Sequence, residues 1–301
     1  MTAASSRKPH LYGGQAVIEG VMMRGRDHWA LAVRRPDRSV HLESHEIPAP
    51  PATTLGAVPG LRGLPALGRA ISIGARALAV SAGMATGDNE RVTPRQVAAT
   101  LSIALVLFVG LFVVVPAVLA HLAIRPIGAV LLANLLEGAL RIAMLVGYLA
   151  LMARRADVRR VFRYHGAEHQ TIAAHEHGDP LEPEPVLRHP TPHVRCGTNF
   201  LLIVMLLTVP VFPLFGAPGL GWRVLLRVAV LPLLAGLAFE ALRLGARFER
   251  LALVRALMQP GLWVQRITTR QPDRDQVEVA IAAFREVLRR EREAVAARPP
   301  S

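Results

Sequence analysis

Long apolar runs dominate the second half of this chain, and short alternating ones its beginning. Residues 96–124 pass 29 positions without an Asp, Glu, Lys or Arg. A membrane span needs roughly 20 apolar residues, so this run crosses a bilayer with room to tilt. Arg125-Pro126 reads as a short turn. A second run, 127–153, is interrupted by Asn134, Glu137 and Arg141. Beyond the polar stretch 154–198, a third uncharged run begins near Asn199 and ends around Phe215. The fourth, 224–244, contains Arg227, Glu240 and Arg243. The pattern predicts a mainly α-helical polytopic membrane protein with about four transmembrane helices.

The first fifty residues follow a different period. Residues 28–34 and 39–46 alternate on either side of Pro36-Asp37-Arg38, which reads as a β-hairpin. A third strand over 15–22 completes a small sheet, with Gln15 and Glu19 on one face. Residues 48–60, rich in Pro, Gly, Ala and Thr, read as a linker. In 61–84, otherwise apolar, Arg62, Arg69 and Arg76 recur every seventh position and share one helical face. That suits a helix lying in the membrane interface, or a core helix with a solvated stripe. Four regions result: a cytoplasmic β subdomain (1–50), a linker with an interfacial helix (51–95), a four-helix membrane domain (96–244) carrying a His-rich loop (154–198), and a cytoplasmic helical tail (245–301).

Charge refines the picture. The net charge of +13 would suit a nucleic-acid binder, but 52% hydrophobic residues in long uncharged runs would not. Arginine-rich segments beside membrane helices account for both features, and no nucleic-acid partner is expected. Lys and Arg number 12 before the first span, 7 in 154–195 and 11 from Arg247 onward, against one in each short connection, Arg125 and Arg223. The excess places both termini and the central loop in the cytoplasm, in a multi-pass protein of the cell membrane. The first apolar run comes too late for a cleavable signal, so the first span is expected to direct insertion. Cys196 is the single cysteine, which excludes an intramolecular disulfide.

Six of the eleven histidines lie in the central loop. His165-Gly-Ala-Glu168-His169 is an H-x-x-E-H pattern: on a helix, both imidazoles stand on one face and could reach one metal. Glu168 lies where a carboxylate could take a proton from an activated water, as in the inverse zinc peptidases, which share this spacing. Glu176 follows on the same face before Gly178-Asp179-Pro180 ends the helix. Further ligands are sought at His193 and Cys196, spaced H-x-x-C, then at Glu176 and His189. His165, His169 and His193 with Glu168 as base describe a catalytic divalent-metal site, zinc foremost; Cys196 as an added ligand would close it into a structural one.

Inside the membrane, Glu137 and Arg141 are four apart and Glu240 and Arg243 three apart, so each charge has a local partner or one across the helices. Such pairs lock helices together; the sharper reading is that they line a polar pathway or bind a headgroup. The Gly13-Gly14 segment lacks the lysine of a phosphate loop, and its glycines read as turn or packing residues, with Glu19 an additional candidate for the site.

Five segments, G-G-Q-A-V-I-E-G-V-M-M-R (13–24), N-L-L-E-G-A-L-R (134–141), Y-H-G-A-E-H (164–169), R-C-G-T-N-F (195–200) and P-G-L-W-V-Q (260–265), together resemble the YqhQ-like family. Its members are bacterial proteins expected to be metal-dependent membrane enzymes. The family pattern has a proline after the histidine that precedes R-C-G-T; here Val194 stands there, and Pro192 lies on the other side of His193. The resemblance implies a membrane location and adds weight to H-x-x-E-H, without naming a substrate. The leading expectation is therefore a membrane metalloenzyme, hydrolytic in type, acting on a lipidic or membrane-bound substrate. Rival readings are a transporter or channel using Asn134, Glu137, Arg141 and Glu240, which implies a homo-oligomer, and a scaffold with a structural metal.

Overall fold

The computed structural model of the chain describes residues 12–48, 63–86, 93–127, 130–216, 219–248 and 251–297. The elements in order are β1 (Gly13–Val17), β2 (Gly20–Arg24), β3 (His28–Arg34), β4 (Val40–Glu46), α1 (Gly63–Thr86), α2 (Pro94–Val109), a π turn Gly110–Val114, α3 (Val115–Ile127), α4 (Val130–Met152), α5 (Ala156–His177), α6 (Pro183–Leu187), α7 (Gly197–Val211), a 3-10 turn Phe212–Phe215, α8 (Leu220–Arg247), α9 (Ala252–Thr268) and α10 (Arg274–Ala296). Residues 1–11 of the expected β subdomain, most of the expected linker and Arg62 of the arginine stripe lie outside the described residues.

The strands form one antiparallel sheet in the order β1-β2-β3-β4. Because successive side chains point to opposite faces, Val21, Met23, Ala30 and Ala32 share one face, and Met22, Trp29, Leu31 and Val33 the other. The first face packs on Tyr164, Ala167 and Ile172 of α5 and on Val277, Ile281 and Phe284 of α10. The second packs on Ile73 and Ala77 of α1, where Arg76 lies over the Trp29 ring at 5.8 Å. Strands, polar central stretch and tail thus share one hydrophobic core.

One strand was expected over 15–22, but two are present, joined by a tight turn at Ile18-Glu19. Glu19 takes φ 54°, the left-handed region, and neither residue is a usual turn former. Tertiary contacts hold it instead: Arg160 pairs with its carboxylate, Tyr164 Oη donates to it at 3.3 Å, and its carbonyl accepts the Arg34 N–H at 2.8 Å. Gln15 and Glu19 therefore do not share a strand face.

Four helical segments are long and apolar enough to cross a membrane: Arg95–Leu122, Asn134–Met152, Gly197–Phe215 and Leu220–Arg247. Leu105, Val106 and Leu107 are among the side chains they turn outward, as lipid-facing surfaces do. Two boundaries differ from expectation. Arg125-Pro126 is the last turn of α3, since proline keeps a helical φ and forfeits one ladder bond. Arg223 belongs to α8, which starts at Leu220, and is buried. Its charge had placed it in a connection, but burial between helices overrides that reading.

Candidate metal centre

H-x-x-E-H lies mid-way along α5, and Gly178 ends that helix with φ 80°. His165 and His169 stack edge to face, their ring centroids 4.4 Å apart. Each ring is fixed by a main-chain carbonyl: His165 Nδ1 donates to Thr268 O at 2.9 Å and His169 Nδ1 to Thr191 O at 2.5 Å. That sets the tautomer and makes each Nε2 the lone-pair nitrogen, the usual outer-shell device for metal-binding imidazoles. Cys196, the N-cap residue of α7, brings Sγ to 3.2 Å from His165 Nε2. One ligand atom from each of His165, His169 and Cys196 lies within 4.8 Å of the others. Donors around a tetrahedral zinc at ~2.0–2.3 Å sit roughly 3.3–3.8 Å apart, so a small contraction seats the ion. A sulfur with two imidazoles suits zinc among the divalent metals. The residues fit the group, and three ligands leave a fourth position open.

His193 stands beside this trio rather than in it. Its ring centroid is 5.6 Å from that of His169, its Nε2 faces Glu176 at 3.5 Å, and its Nδ1 accepts the Arg195 N–H at 3.3 Å. Gln265 clamps its backbone, accepting the His193 N–H and donating to its carbonyl, both at 2.8 Å. Glu176 also pairs with Arg195. Burial pushes its carboxyl up, but the His193 bond and Arg195 prevail and hold it below the usual range. His189 is occupied by Asp179 at 2.8 Å. The outer partners Thr191, Gln265 and Thr268 were not singled out from the sequence; only the P-G-L-W-V-Q motif pointed at Gln265.

Glu168 is buried beside the two histidines. Burial pushes its carboxyl up to about 7, against the pull of His165 and of the Gly14 N–H, which donates to it. Burial pushes the His169 imidazole down, toward the neutral form that binds metals. A Cβ on Gly14 would stand 2.9 Å from the Glu168 side chain, so this close approach requires glycine. Gly166 has the same logic: a Cβ there would meet Arg270 O at 2.1 Å. Gly166→Ala should therefore push α5 off the 268–270 segment and loosen the His165–Thr268 bond. Zinc affinity is expected to fall about 10–100-fold, as for other outer-shell changes, with the ligands themselves untouched; competitive chelator titration measures it.

The trio and Glu168 line a cleft of about 640 Å³, with apolar Ile71 and Leu201 on its walls. Strand β1 forms another wall and is an edge of the sheet. Because Glu19 O accepts from Arg34, residues 19, 21 and 23 turn their main-chain groups to β3, and 20, 22 and 24 theirs to β1. The register then turns Val17, Gln15 and Gly13 toward β2, and Gly14 and Ala16 outward to the cleft.

The remaining motif forms a separate cluster among the spans. Arg141 donates to Glu137, to Thr208 Oγ1 and to the Phe112 carbonyl at the π turn, each at 2.7 Å. Arg227 of α8 pairs with the other Glu137 oxygen and reaches Asn134 Oδ1 at 3.4 Å. Glu240 is half-buried and Arg243 exposed, ~20 Å further along α8 at 1.5 Å per residue. The pairing between the second and fourth spans thus uses Arg227.

Residues 58–290 match the family model described as "Protein of unknown function (DUF1385)". The chain is 34% identical to the "Uncharacterized protein YqhQ" of Bacillus subtilis (strain 168), over 94% of each chain. No solved structure matches.

Proposed function

We propose for this chain, which belongs to the DUF1385 family, a metal-dependent hydrolysis carried out at the membrane surface. One observation carries the reading: two Nε2 atoms and one thiol sulfur converge in an open cleft, with a buried carboxylate beside them. A zinc ion held there by His165, His169 and Cys196 would supply Lewis-acid activation of water and of an acyl group. Glu168 accepts the proton of the attacking water at its carboxylate and passes it to the leaving group. The Gly14 N–H orients that carboxylate, and the Glu176–His193 pair positions the segment that leads into Cys196.

The outward groups of β1 favour an extended polypeptide as substrate. Gly14 C=O and both main-chain groups of Ala16 offer the ladder that an added strand uses. Apolar Ile71 and Leu201 suit a segment close to the bilayer. The arginine asymmetry supports a cleft on the cytoplasmic side of the cell membrane.

Zinc-loaded protein in lipid nanodiscs, incubated with a mixture of fluorescence-quenched peptides, tests this. Wild type should cleave, and Glu168→Gln should keep its zinc while losing ~10²–10⁴-fold in rate. Equal cleavage by the variant, or a wild type that binds no metal, overturns the reading.

A further inference from the structure

At the other end of the membrane helices lies a group of cations that the cleft does not use. Thr208, which meets Arg141, is twelve residues beyond Cys196 on α7, hence ~18 Å from the metal centre along that helix. Here three guanidinium groups, Arg141, Arg223 and Arg227, are 2%, 2% and 4% exposed. Glu137 is the carboxylate that pairs with them, bonding Arg141 and Arg227. Arg141 has all three nitrogens engaged. Arg227 has Nε and one terminal nitrogen without a partner among the described residues, and Arg223 has none of its three nitrogens bonded.

A buried, unpaired cation is among the costliest features a membrane domain can contain. Among the described residues, three positive charges face one negative there, which leaves a surplus of charge. Arg223 and Arg227 both line one small cavity, together with Phe212, Phe215, Gly216 and Leu226. It encloses about 10 Å³, room for one oxygen-sized atom. Arg223 sits one turn inside the start of α8, near one end of a 28-residue apolar span. An oxygen carrying negative charge could enter between the guanidiniums while the rest of its group stays at the membrane surface. Guanidinium forks match phosphate oxygens in both charge and geometry.

We propose that Arg223 and Arg227 bind the oxyanion of a phosphate group at the membrane face opposite the metal cleft. The phosphate comes from a phospholipid headgroup or from free phosphate. Neither source depends on metal at the cleft.

Thermal unfolding of the purified protein tests it under three conditions: nanodiscs of phosphatidylglycerol, nanodiscs of a phosphate-free galactolipid, and maltoside micelles with or without inorganic phosphate. A wild-type midpoint about 5 °C higher in phosphatidylglycerol than in galactolipid, with no response to inorganic phosphate, identifies a lipid headgroup. A similar rise with inorganic phosphate, absent with equimolar chloride, identifies the free ion. In either case Arg223→Leu should abolish the rise. Arg223→Gln, which alters shape least, guards against a variant that fails to fold. The proposal is overturned if wild type responds to neither source, if chloride acts as well as phosphate, or if both variants keep the rise.

Discussion

Replacing His165 and His169 together with alanine should leave the detergent-purified protein without zinc, where wild type carries about one equivalent. The two imidazoles are well prepared as candidate ligands, since each already donates Nδ1–H to a carbonyl and directs Nε2 inward. Losing both exceeds the ~10–100-fold weakening produced by outer-shell changes. Elemental analysis of the two proteins side by side reads the result. Single substitutions separate the neighbours: Cys196→Ser should weaken binding strongly, whereas His193→Ala should leave the equivalent in place, because its ring is turned to Glu176. The reverse outcome would exchange these two residues in the ligand set. Zinc retained by the double variant would remove the centre altogether.

Glu137→Gln should be the most damaging single change to stability in the membrane domain. Both carboxylate oxygens are used, one by Arg141 and one by Arg227, and all three side chains are buried. Neutralising the carboxylate leaves two cations facing each other with Arg223 near them. Breaking such a pair from one side costs about 3–5 kcal/mol, because the stranded charge remains buried. In a domain of this size that lowers the unfolding midpoint by roughly 10 °C. Arg243→Gln is the control: that side chain is exposed, and such a change should shift stability by no more than ~0.5 kcal/mol. A Glu137→Gln midpoint within a degree or two of wild type would show that the network is not what holds α4 to α8.

The two predictions draw on parts of the molecule that were unequally legible in the sequence. The four spans were plain because hydropathy is summed over twenty or so positions, and a few polar residues do not disturb it. The helix under H-x-x-E-H and its stop at Gly178 were legible for a local reason: spacing and a left-handed glycine act within a few residues. The Ile18-Glu19 turn was not, because Arg160, Tyr164 and Arg34 impose it from elsewhere in the chain. The ordering of ligands was hidden for the same reason. His193 and Cys196 both sit in H-x-x-C before the third span, and what sets them apart is the contact of the His193 ring with Glu176 and the grip on its backbone by Gln265, seventy-two residues on. Arg223 misled in the opposite direction, since charge at a helix end is ordinarily a solvent signal.

Shared burial between the ends of the chain also constrains how the protein is made. Strands β2 and β3 are completed within the first 34 residues, yet α10, which covers one of their faces together with α5, begins at Arg274. At ~5–20 residues per second, the ribosome needs roughly 12–50 seconds to make the intervening stretch. During that interval Val21, Met23, Ala30 and Ala32 emerge without their final neighbours, and four spans must enter the bilayer. The carbonyl that steadies His165 and the amide that clamps the His193 backbone, from Thr268 and Gln265, arrive just before α10. Fixing of His165 and closure of the sheet are therefore late, nearly simultaneous events of biogenesis, and a chain cut short before residue 274 would leave that face of the sheet covered by α5 without α10.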